Sequence, residues 1–424
     1  MAVHVNLPVS PMITLSYMER HERKFSSKTF WALIMYLFVT GGRFFALIPG
    51  LPETIPWGMI SGLPFLFFLF TEFMMHGTDG YTLGYGEKYV LGITVIGALS
   101  VPFAIWQGGA FSGWLGLLKT VPLFFAVSYI VRRLEDWDMI VKAFAFCILL
   151  TSLAAILMGS GHGSGGLASM YDPNDLALIM VMGIPFCLYL SAQGSAFWKI
   201  FYLVTAMIAA LVAVKSGSRG GLIGLLVIYL VYVILSERRL PLLVLGMVMF
   251  VVVIIFTPES TFERLSTIWN PQSDYDRSAG NRTYIWKRGM TIISEKPLLG
   301  VGINNFSTAN GQMIESGPWQ TAHNSFIQIT AELGIVALLF FLGLTFGSVR
   351  RLEQLRRKLR RHNSENPLLG AVNASETSII GFIVAGFFLS QAYMVYLYFV
   401  IALALTVQRM AGDYLRREVG DPAF

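Results

Sequence analysis

His323, Arg219 and Arg282 are the residues of this sequence whose types and placement could do chemistry on a phosphate-linked substrate. His323 stands where a long polar stretch meets an apolar segment, and the topology predicted below puts both arginines on the same side of a membrane. A neutral imidazole can take a proton from an attacking hydroxyl, while fixed guanidinium groups neutralise a diphosphate leaving group. A histidine at a membrane boundary can also be only an interfacial hydrogen-bonding group, and this alternative stays open.

Arg219 lies in a setting typical of an anion site. Ser218 precedes it and two glycines follow it at the predicted start of a helix, where free backbone N–H groups meet the positive end of the helix dipole. Lys215 adds a second cation, and the small residues would let a phosphate approach the backbone. The alternative is an ordinary interfacial arginine beside glycines that serve helix packing.

The segment 281–295 predicts a short amphipathic helix that ends before Pro297. Its basic residues Arg282, Lys287 and Arg288 are interspersed with isoleucines, so the helix could lie on the membrane surface and bring Arg282 and Arg288 to a diphosphate. The pattern fits equally a helix whose basic face is merely solvated.

His323 is followed by Asn324, Gln328 and Glu332, and these three are spaced four residues apart. Side chains at this spacing share one face of a helix, so they predict a polar stripe that enters the membrane beside His323. Such a stripe should face protein rather than lipid. Asn324 is therefore expected to support His323 in the site, as Ser218 supports Arg219.

Composition predicts that an all-α integral membrane protein positions these residues. Of the 424 residues 55% are apolar and 13% charged, and apolar runs near the roughly 20 residues that cross a bilayer recur along the chain. Cys147 and Cys187 lie far apart in apolar runs, which argues against a disulfide framework or a thiolate metal site. About twelve spans are expected, at 30–47, 57–75, 89–106, 114–131, 139–158, 175–190, 198–214, 220–235, 240–257, 326–346, 377–389 and 392–407.

Basic residues orient the predicted helices. The arginines within 132–133, 238–239, 350–361 and 416–417 fall on one side if the N-terminus is cytoplasmic, and their role as orientation signals argues against nucleic acid as a partner. The stretch 377–407 favours two helices broken near Ser390-Gln391 over one long helix. The predicted organisation begins with a cytoplasmic arm 1–29, without a removable signal peptide, and continues with helices 1–9 in 30–257. A large periplasmic loop with short helices follows at 258–322. Helices 10–12 lie in 323–409, with a basic cytoplasmic loop at 347–370, and a cytoplasmic tail follows at 410–424.

Other polar residues have competing interpretations. Asp274-Tyr275-Asp276 has the spacing with which sugar-nucleotide transferases hold a metal, but such a triplet also arises by chance in a polar loop. His162 stands in a glycine-rich stretch and is expected to be a flexible loop residue. Four charged residues lie within predicted spans: Arg43, Glu72, Lys119 and Lys142. They mark either an ion pathway or side chains that extend to the membrane boundary. Arg43 and Lys119 lie toward the outer half and would extend the basic site.

Several short motifs between about 171 and 332 together resemble the O-antigen ligase and polymerase superfamily of bacterial membrane glycosyltransferases. They are Asp172-Pro173-Asn174-Asp175, Ser216-Gly217-Ser218-Arg219-Gly220, Asn281-Arg282-Thr283-Tyr284-Ile285-Trp286, Gly300-Val301-Gly302-Ile303-Asn304-Asn305-Phe306 and Ala322-His323-Asn324. The resemblance implies a GT-C-like fold and a metal-independent, inverting transfer of a glycan from undecaprenyl diphosphate, without a cofactor. It also implies that His323 activates the acceptor hydroxyl and that Arg219 and Arg282 bind the diphosphate.

The resemblance leaves the acceptor open. A ligase of lipopolysaccharide biosynthesis would pass a finished glycan to lipid A-core, a polymerase would pass a growing polysaccharide to the next lipid-linked repeat, and a protein O-oligosaccharyltransferase would modify a protein. A lipid-linked glycan transporter is the non-enzymatic alternative. For the enzymes, the implied location is the bacterial inner membrane, with the active site facing the periplasm.

Overall fold

The structure, a computed structural model, describes residues 26–42, 55, 57–77, 82–158, 172–235, 280–313 and 319–418, with isolated residues between 240 and 251. Within these ranges it is helical and has no β-strand. Eight helices are long and apolar enough to cross a membrane, and Arg219–Leu235 is a shorter apolar one. The predicted all-α membrane class is thus confirmed. The total of twelve spans stays a prediction, since most of 240–257 lies outside the described residues.

Fourteen α-helices follow one another in the described part of the chain, with one 3₁₀ turn at Val101–Phe103. They are α1 Ser27–Gly42, α2 Trp57–His76, α3 Tyr85–Ser100, α4 Gln107–Leu118, α5 Thr120–Ile130, α6 Leu134–Met158, α7 Pro173–Gln193, α8 Ala196–Lys215, α9 Arg219–Leu235, α10 Gly280–Glu295, α11 Phe306–Gln312, α12 Ser325–His362, α13 Leu368–Gly386 and α14 Val395–Glu418.

The longest helix corrects one prediction. The basic run 350–361 was expected in a loop at 347–370, but α12 continues through it to His362. The reason is amphipathic periodicity: Leu352, Leu355 and Leu359 are buried on one side of the helix, while most arginines of the run are exposed. The exposed arginines are Arg350, Arg351, Arg357, Arg360 and Arg361. The run therefore belongs to a helix that is packed on one side and charged on the other.

Two other helix boundaries differ from those predicted from the sequence. The span predicted at 114–131 begins earlier, at Gln107, and is divided at Lys119 into α4 and α5. The stretch 377–407 does form two helices, as expected, with the connection at 387–394. The first of them begins earlier than predicted, at Leu368, because its buried polar residues hide it from a hydropathy reading.

The centre of the bundle is α14. Every residue from Tyr396 to Val407 is buried, and this helix packs against α5, α12 and α13. Helix α13 also packs against α7 and α9, so these helices share one core with α14. By contrast, α2 exposes large apolar side chains such as Phe67 and Phe70, as expected for a helix in contact with lipid.

Candidate functional site

His323 is held in an unusual backbone conformation immediately before α12. Its φ of 46° lies in the left-handed region, which few residues other than glycine adopt. The backbone N–H of His323 donates to Oγ of Ser390 over 2.7 Å. Asn324 then caps the helix, since its side chain accepts hydrogen bonds from the N–H groups of Phe326 and Ile327 at 2.9 and 3.0 Å. Strained backbone of this kind is often found at functional sites.

Helix α10 packs against the start of α12. Nε1 of Trp286 donates to the carbonyl of Ala322 at 3.0 Å, and the Trp286 ring meets that of Phe387 edge-on at 5.5 Å. Ile285 and Ile292 of the same helix are buried. The predicted amphipathic helix at 281–295 is confirmed, and its apolar face packs on protein.

Helix α9 begins in close contact with two other elements. A Cβ added at Gly220 would come within 2.8 Å of Phe388 Cβ, and one added at Gly221 within 2.5 Å of Ala177 Cβ. Ser218 caps the helix, because its hydroxyl accepts the N–H of Gly221 at 3.1 Å. The two glycines thus allow the start of α9 to fit between α7 and the connection 387–394.

The starts of three helices therefore meet around the connection 387–394. Oγ of Ser325 donates to the carbonyl of Leu389 at 2.7 Å, which joins α12 to this connection. Asp172 caps α7 by accepting the N–H of Asn174 at 2.8 Å. The positive ends of the α7, α9 and α12 dipoles are consequently directed at one region, a setting that favours an anion.

The effects of neighbouring charges on pKa values indicate that three of the predicted residues lie near one another in this region. Burial lowers the pKa of Arg282, and the charge of Arg219 lowers it further, so the two guanidinium groups lie close to one another. The pKa of His323 is lowered by burial and by Arg282, and Asp172 acts in the opposite direction. The imidazole therefore favours its neutral form, which can accept a proton.

The other predicted cations are less directly connected. Lys215 is the last residue of α8, one turn before Ser218. Arg288 lies on α10 and its Nε is buried without a hydrogen-bond partner among the described residues. Among those residues, neither side chain makes a resolved contact with His323. Lys215 is thus close to Arg219 along the chain, and Arg288 lies on the same helix as Arg282. The electrostatic contacts connect only Arg219, Arg282 and His323 with one another.

Four residues that received no role from the sequence complete this region. Nε2 of Gln391 donates to Oδ1 of Asp175, and the N–H of Gln391 donates to Oγ of Ser325 at 3.0 Å. Asp172 and Ser390 contribute the electrostatic and hydrogen-bond contacts to His323 given above. The motif Asp172-Pro173-Asn174-Asp175 was a visible signal for the two acids. Ser390 and Gln391 had only the predicted helix break as a signal.

The motif 300–306 has a positioning role in the structure. The side chain of Asn305 accepts the N–H of Trp106 at 3.1 Å and donates to its carbonyl at 3.2 Å. The N–H of Phe306 donates to Oε1 of Glu332 at 3.1 Å. Asn324 and Glu332 are each 2% exposed, so the polar stripe of α12 faces protein, as predicted.

Several predicted alternatives lie apart from this region or outside the described residues. Oε1 of Glu72 accepts from the N–H of Ser26 at 2.7 Å and joins the first two helices, and Lys119 is exposed between α4 and α5. Lys142 interacts with Asp138 on α6. Among the described residues, no group of three or more His, Cys, Asp or Glu is placed to hold a metal ion. Arg43, His162, Asp274 and Asp276 are outside the described residues.

Part of this region lies within the stretch of the chain that matches a known protein family, and Asp172, Asp175 and the connection 387–394 lie outside that stretch. Residues 176–342, which include Arg219, Arg282 and His323, match the protein family described as O-antigen ligase. A Rickettsia conorii protein described as a candidate polysaccharide ligase is 25% identical over 211 residues, which cover 43% of this chain and 50% of that protein. A Rickettsia felis protein of the same description is 32% identical over 88 residues, 19% of this chain and 22% of its own length.

These matches confirm the predicted resemblance to the O-antigen ligase superfamily. The matched regions span half or less of the length of both curated relatives. The described part of the chain therefore contains several helices that could cross a membrane, and residues 176–342 are similar to O-antigen ligases.

Proposed function

We propose that this protein is an O-antigen ligase-type glycosyltransferase that moves a glycan from undecaprenyl diphosphate to an acceptor hydroxyl. The observation that supports it most is the grouping of His323, held in left-handed backbone, with Arg282 and Arg219 where three helix starts meet. The match of 176–342 to the O-antigen ligase family supports the same class.

The donor diphosphate would bind to the two arginines. Guanidinium groups can hold phosphate oxygens through paired, charge-assisted hydrogen bonds, and the dipole of α9 adds to the positive potential. Arg288 and Lys215 would supply further positive charge at the margin of the site. Because the helices that carry these groups pack against the rest of the bundle, their charges would stabilise the leaving group without needing a metal ion.

His323 would act as the general base. The acceptor oxygen attacks the anomeric carbon of the donor sugar, its proton passes to the neutral imidazole, and the bond between that carbon and the diphosphate oxygen breaks. Attack from the face opposite to the diphosphate inverts the anomeric centre. Undecaprenyl diphosphate leaves with both electrons of the broken bond, and its negative charge is balanced by Arg219 and Arg282.

Asp172 and Ser390 would support His323 as the base, Asp172 through its charge and Ser390 through a hydrogen bond. Asp172 favours the imidazolium that forms when the proton arrives, as its effect on the pKa of His323 indicates. The hydroxyl of Ser390 fixes the backbone of His323. Asn324 anchors the helix start that follows.

Reconstituted transfer tests this proposal. The full-length chain, purified in detergent, would be incubated with a lipid-linked glycan donor and lipid A-core. A ligase transfers the glycan to lipid A-core, whereas a polymerase lengthens the glycan on the donor in the absence of lipid A-core. A protein O-oligosaccharyltransferase needs a protein acceptor. In a parallel assay with the chain reconstituted into lipid vesicles, movement of intact donor across the bilayer without any bond cleavage would instead indicate a transporter and would contradict the proposal.

The proposed location is the inner membrane, with His323 toward the periplasm. The orientation rests on the distribution of basic residues along the chain. Alkaline phosphatase fused near Gly311 should be active, and a fusion after Arg351 should be inactive. The reverse pattern would overturn the topology.

A further inference from the structure

A basic cavity of about 360 Å³ lies at the far end of α12 from His323. The helix is kinked at Gly334, and Arg351 lies 17 residues beyond that kink, which corresponds to roughly 25 Å of unbroken helix. The distribution of basic residues predicts that the cavity and the candidate site lie on opposite sides of the membrane.

The lining of this cavity is strongly basic. Four arginines line it against two carboxylates, Glu87 and Asp413, which leaves a formal charge of +2. The arginines come from three different parts of the chain, after α5, in α12 and in α14; they are Arg132, Arg351, Arg409 and Arg416. The volume lies within the roughly 300 to 1,000 Å³ that small-molecule sites commonly have.

The two carboxylates are already engaged with arginines of the cavity. Oε1 of the buried Glu87 accepts from Nη2 of Arg409 at 3.2 Å, and Arg409 also donates to the carbonyl of Ser128 at 2.7 Å. Asp413 pairs with Arg416 one turn later in α14. An anion that enters the cavity would thus meet the remaining positive charge.

Arg351 is presented in a way that suits a phosphate. Its guanidinium lies 3.7 Å from the centre of the Tyr85 ring. The hydroxyl of Tyr85 is fixed in turn, since it donates to Oε1 of Gln408 at 3.0 Å. A guanidinium stacked on a ring keeps the N–H groups at its edge available, so Arg351 can donate two hydrogen bonds to phosphate oxygens.

We propose that this cavity binds the phosphate of an anionic phospholipid headgroup in the leaflet opposite to the glycan-transfer site. Basic pockets between membrane helices on the cytoplasmic side are suited to such headgroups, and the arginines that line this one belong to the predicted cytoplasmic side. A soluble phosphate has the same charge and hydrogen-bonding oxygens, so the two sources must be separated by experiment.

The test compares the thermal stability of the purified full-length chain with phosphatidylglycerol, phosphatidylcholine or inorganic phosphate. A ligand that binds only the folded protein raises its Tm. Phosphatidylglycerol should raise Tm more than phosphatidylcholine, and Arg351→Gln should raise the half-maximal phosphatidylglycerol concentration about tenfold or more. Arg357→Gln is the matched control, because Arg357 is an exposed arginine of the same helix that does not line the cavity.

Each other outcome decides between sources or overturns the site. The same shift with inorganic phosphate at equal concentration, lost in Arg351→Gln, would assign the cavity to soluble phosphate and overturn the lipid proposal. Equal shifts with both lipids, or an unchanged response in the double variant Arg132→Gln/Arg351→Gln, would overturn a phosphate site altogether. Elution as a single species in size-exclusion chromatography would show that the double variant is folded.

Discussion

The backbone N–H of His323 donates to the hydroxyl of Ser390 over 2.7 Å and so joins two residues that are 67 positions apart. This bond holds the left-handed backbone at which the proposed base is placed. The connection that contains Ser390 also contacts the starts of α9 and α12. One segment, 387–394, therefore fixes the base relative to the helix that begins with Arg219.

Replacing Ser390 with alanine should reduce transfer without abolishing it. A hydrogen bond of this kind contributes about 0.5 to 1.5 kcal/mol, so we expect the rate at saturating donor to fall about two- to tenfold while donor affinity stays the same. Ser390→Thr keeps a hydroxyl and serves as the control. Equal rates for the alanine variant and the wild type would show that this bond does not position the base.

The pH dependence of transfer should reflect the environment of His323. The base acts in its neutral form, and burial together with Arg282 lowers the pKa of His323 below its ordinary value of 6.5. Transfer should therefore be retained below pH 6.5 and be lost at still lower pH. At saturating donor, Asp172→Asn should move the midpoint lower because it removes the opposing charge, and Arg282→Gln should move it higher. A midpoint above 6.5 in the wild type would contradict this assignment.

Arg219 and Arg282 should dominate donor binding. Alanine at either position removes charge-assisted bonds of roughly 1.5 to 3 kcal/mol, so donor affinity should fall about tenfold to a hundredfold. Lysine should restore little, because it lacks the paired donors of a guanidinium. Lys287→Ala is a suitable control, since Lys287 is an exposed cation on the same helix as Arg282. Wild-type affinity in both alanine variants, measured with labelled donor, would refute the diphosphate site.

Gly334 should be indispensable for folding. Its φ of 84° lies in the left-handed half of backbone space, and a Cβ there would come within 2.0 Å of the carbonyl oxygen of Leu298. Gly334→Ala should therefore destabilise the protein by about 3 kcal/mol or more and lower the yield of folded protein. Gly116→Ala is the control, because a Cβ at Gly116 meets nothing within 4 Å. A similar Tm for the two variants would contradict the strain at Gly334.

The three central residues of the site could be predicted because each has a local signal. Ser218-Arg219-Gly220 marks a helix start, Arg282 lies in a recognisable amphipathic helix, and His323 precedes an apolar run. Local patterns of this kind depend on helix capping and periodicity, which act over a few residues. The structure brings the three elements to one place.

The surroundings of the site could not be predicted, because they depend on contacts between distant parts of the chain. Gln391 and Asp175 are 216 positions apart, and no local pattern indicates that they meet. The length of α12 was missed for another reason. Its basic second half was interpreted as an orientation signal in a loop, whereas the buried leucines on its other face extend the helix.

The central claim is that His323 is the general base of a transfer that arginines assist, and the most direct test is transfer by His323→Ala in detergent with excess EDTA. We expect the rate to fall about 10²- to 10⁴-fold while the protein inserts normally and binds donor as the wild type does. The wild type should stay active in EDTA, and His162→Ala should change little. Full activity of His323→Ala would contradict the claim, and wild-type activity lost in EDTA but restored by Mg²⁺ would instead favour Asp274 and Asp276 as metal ligands.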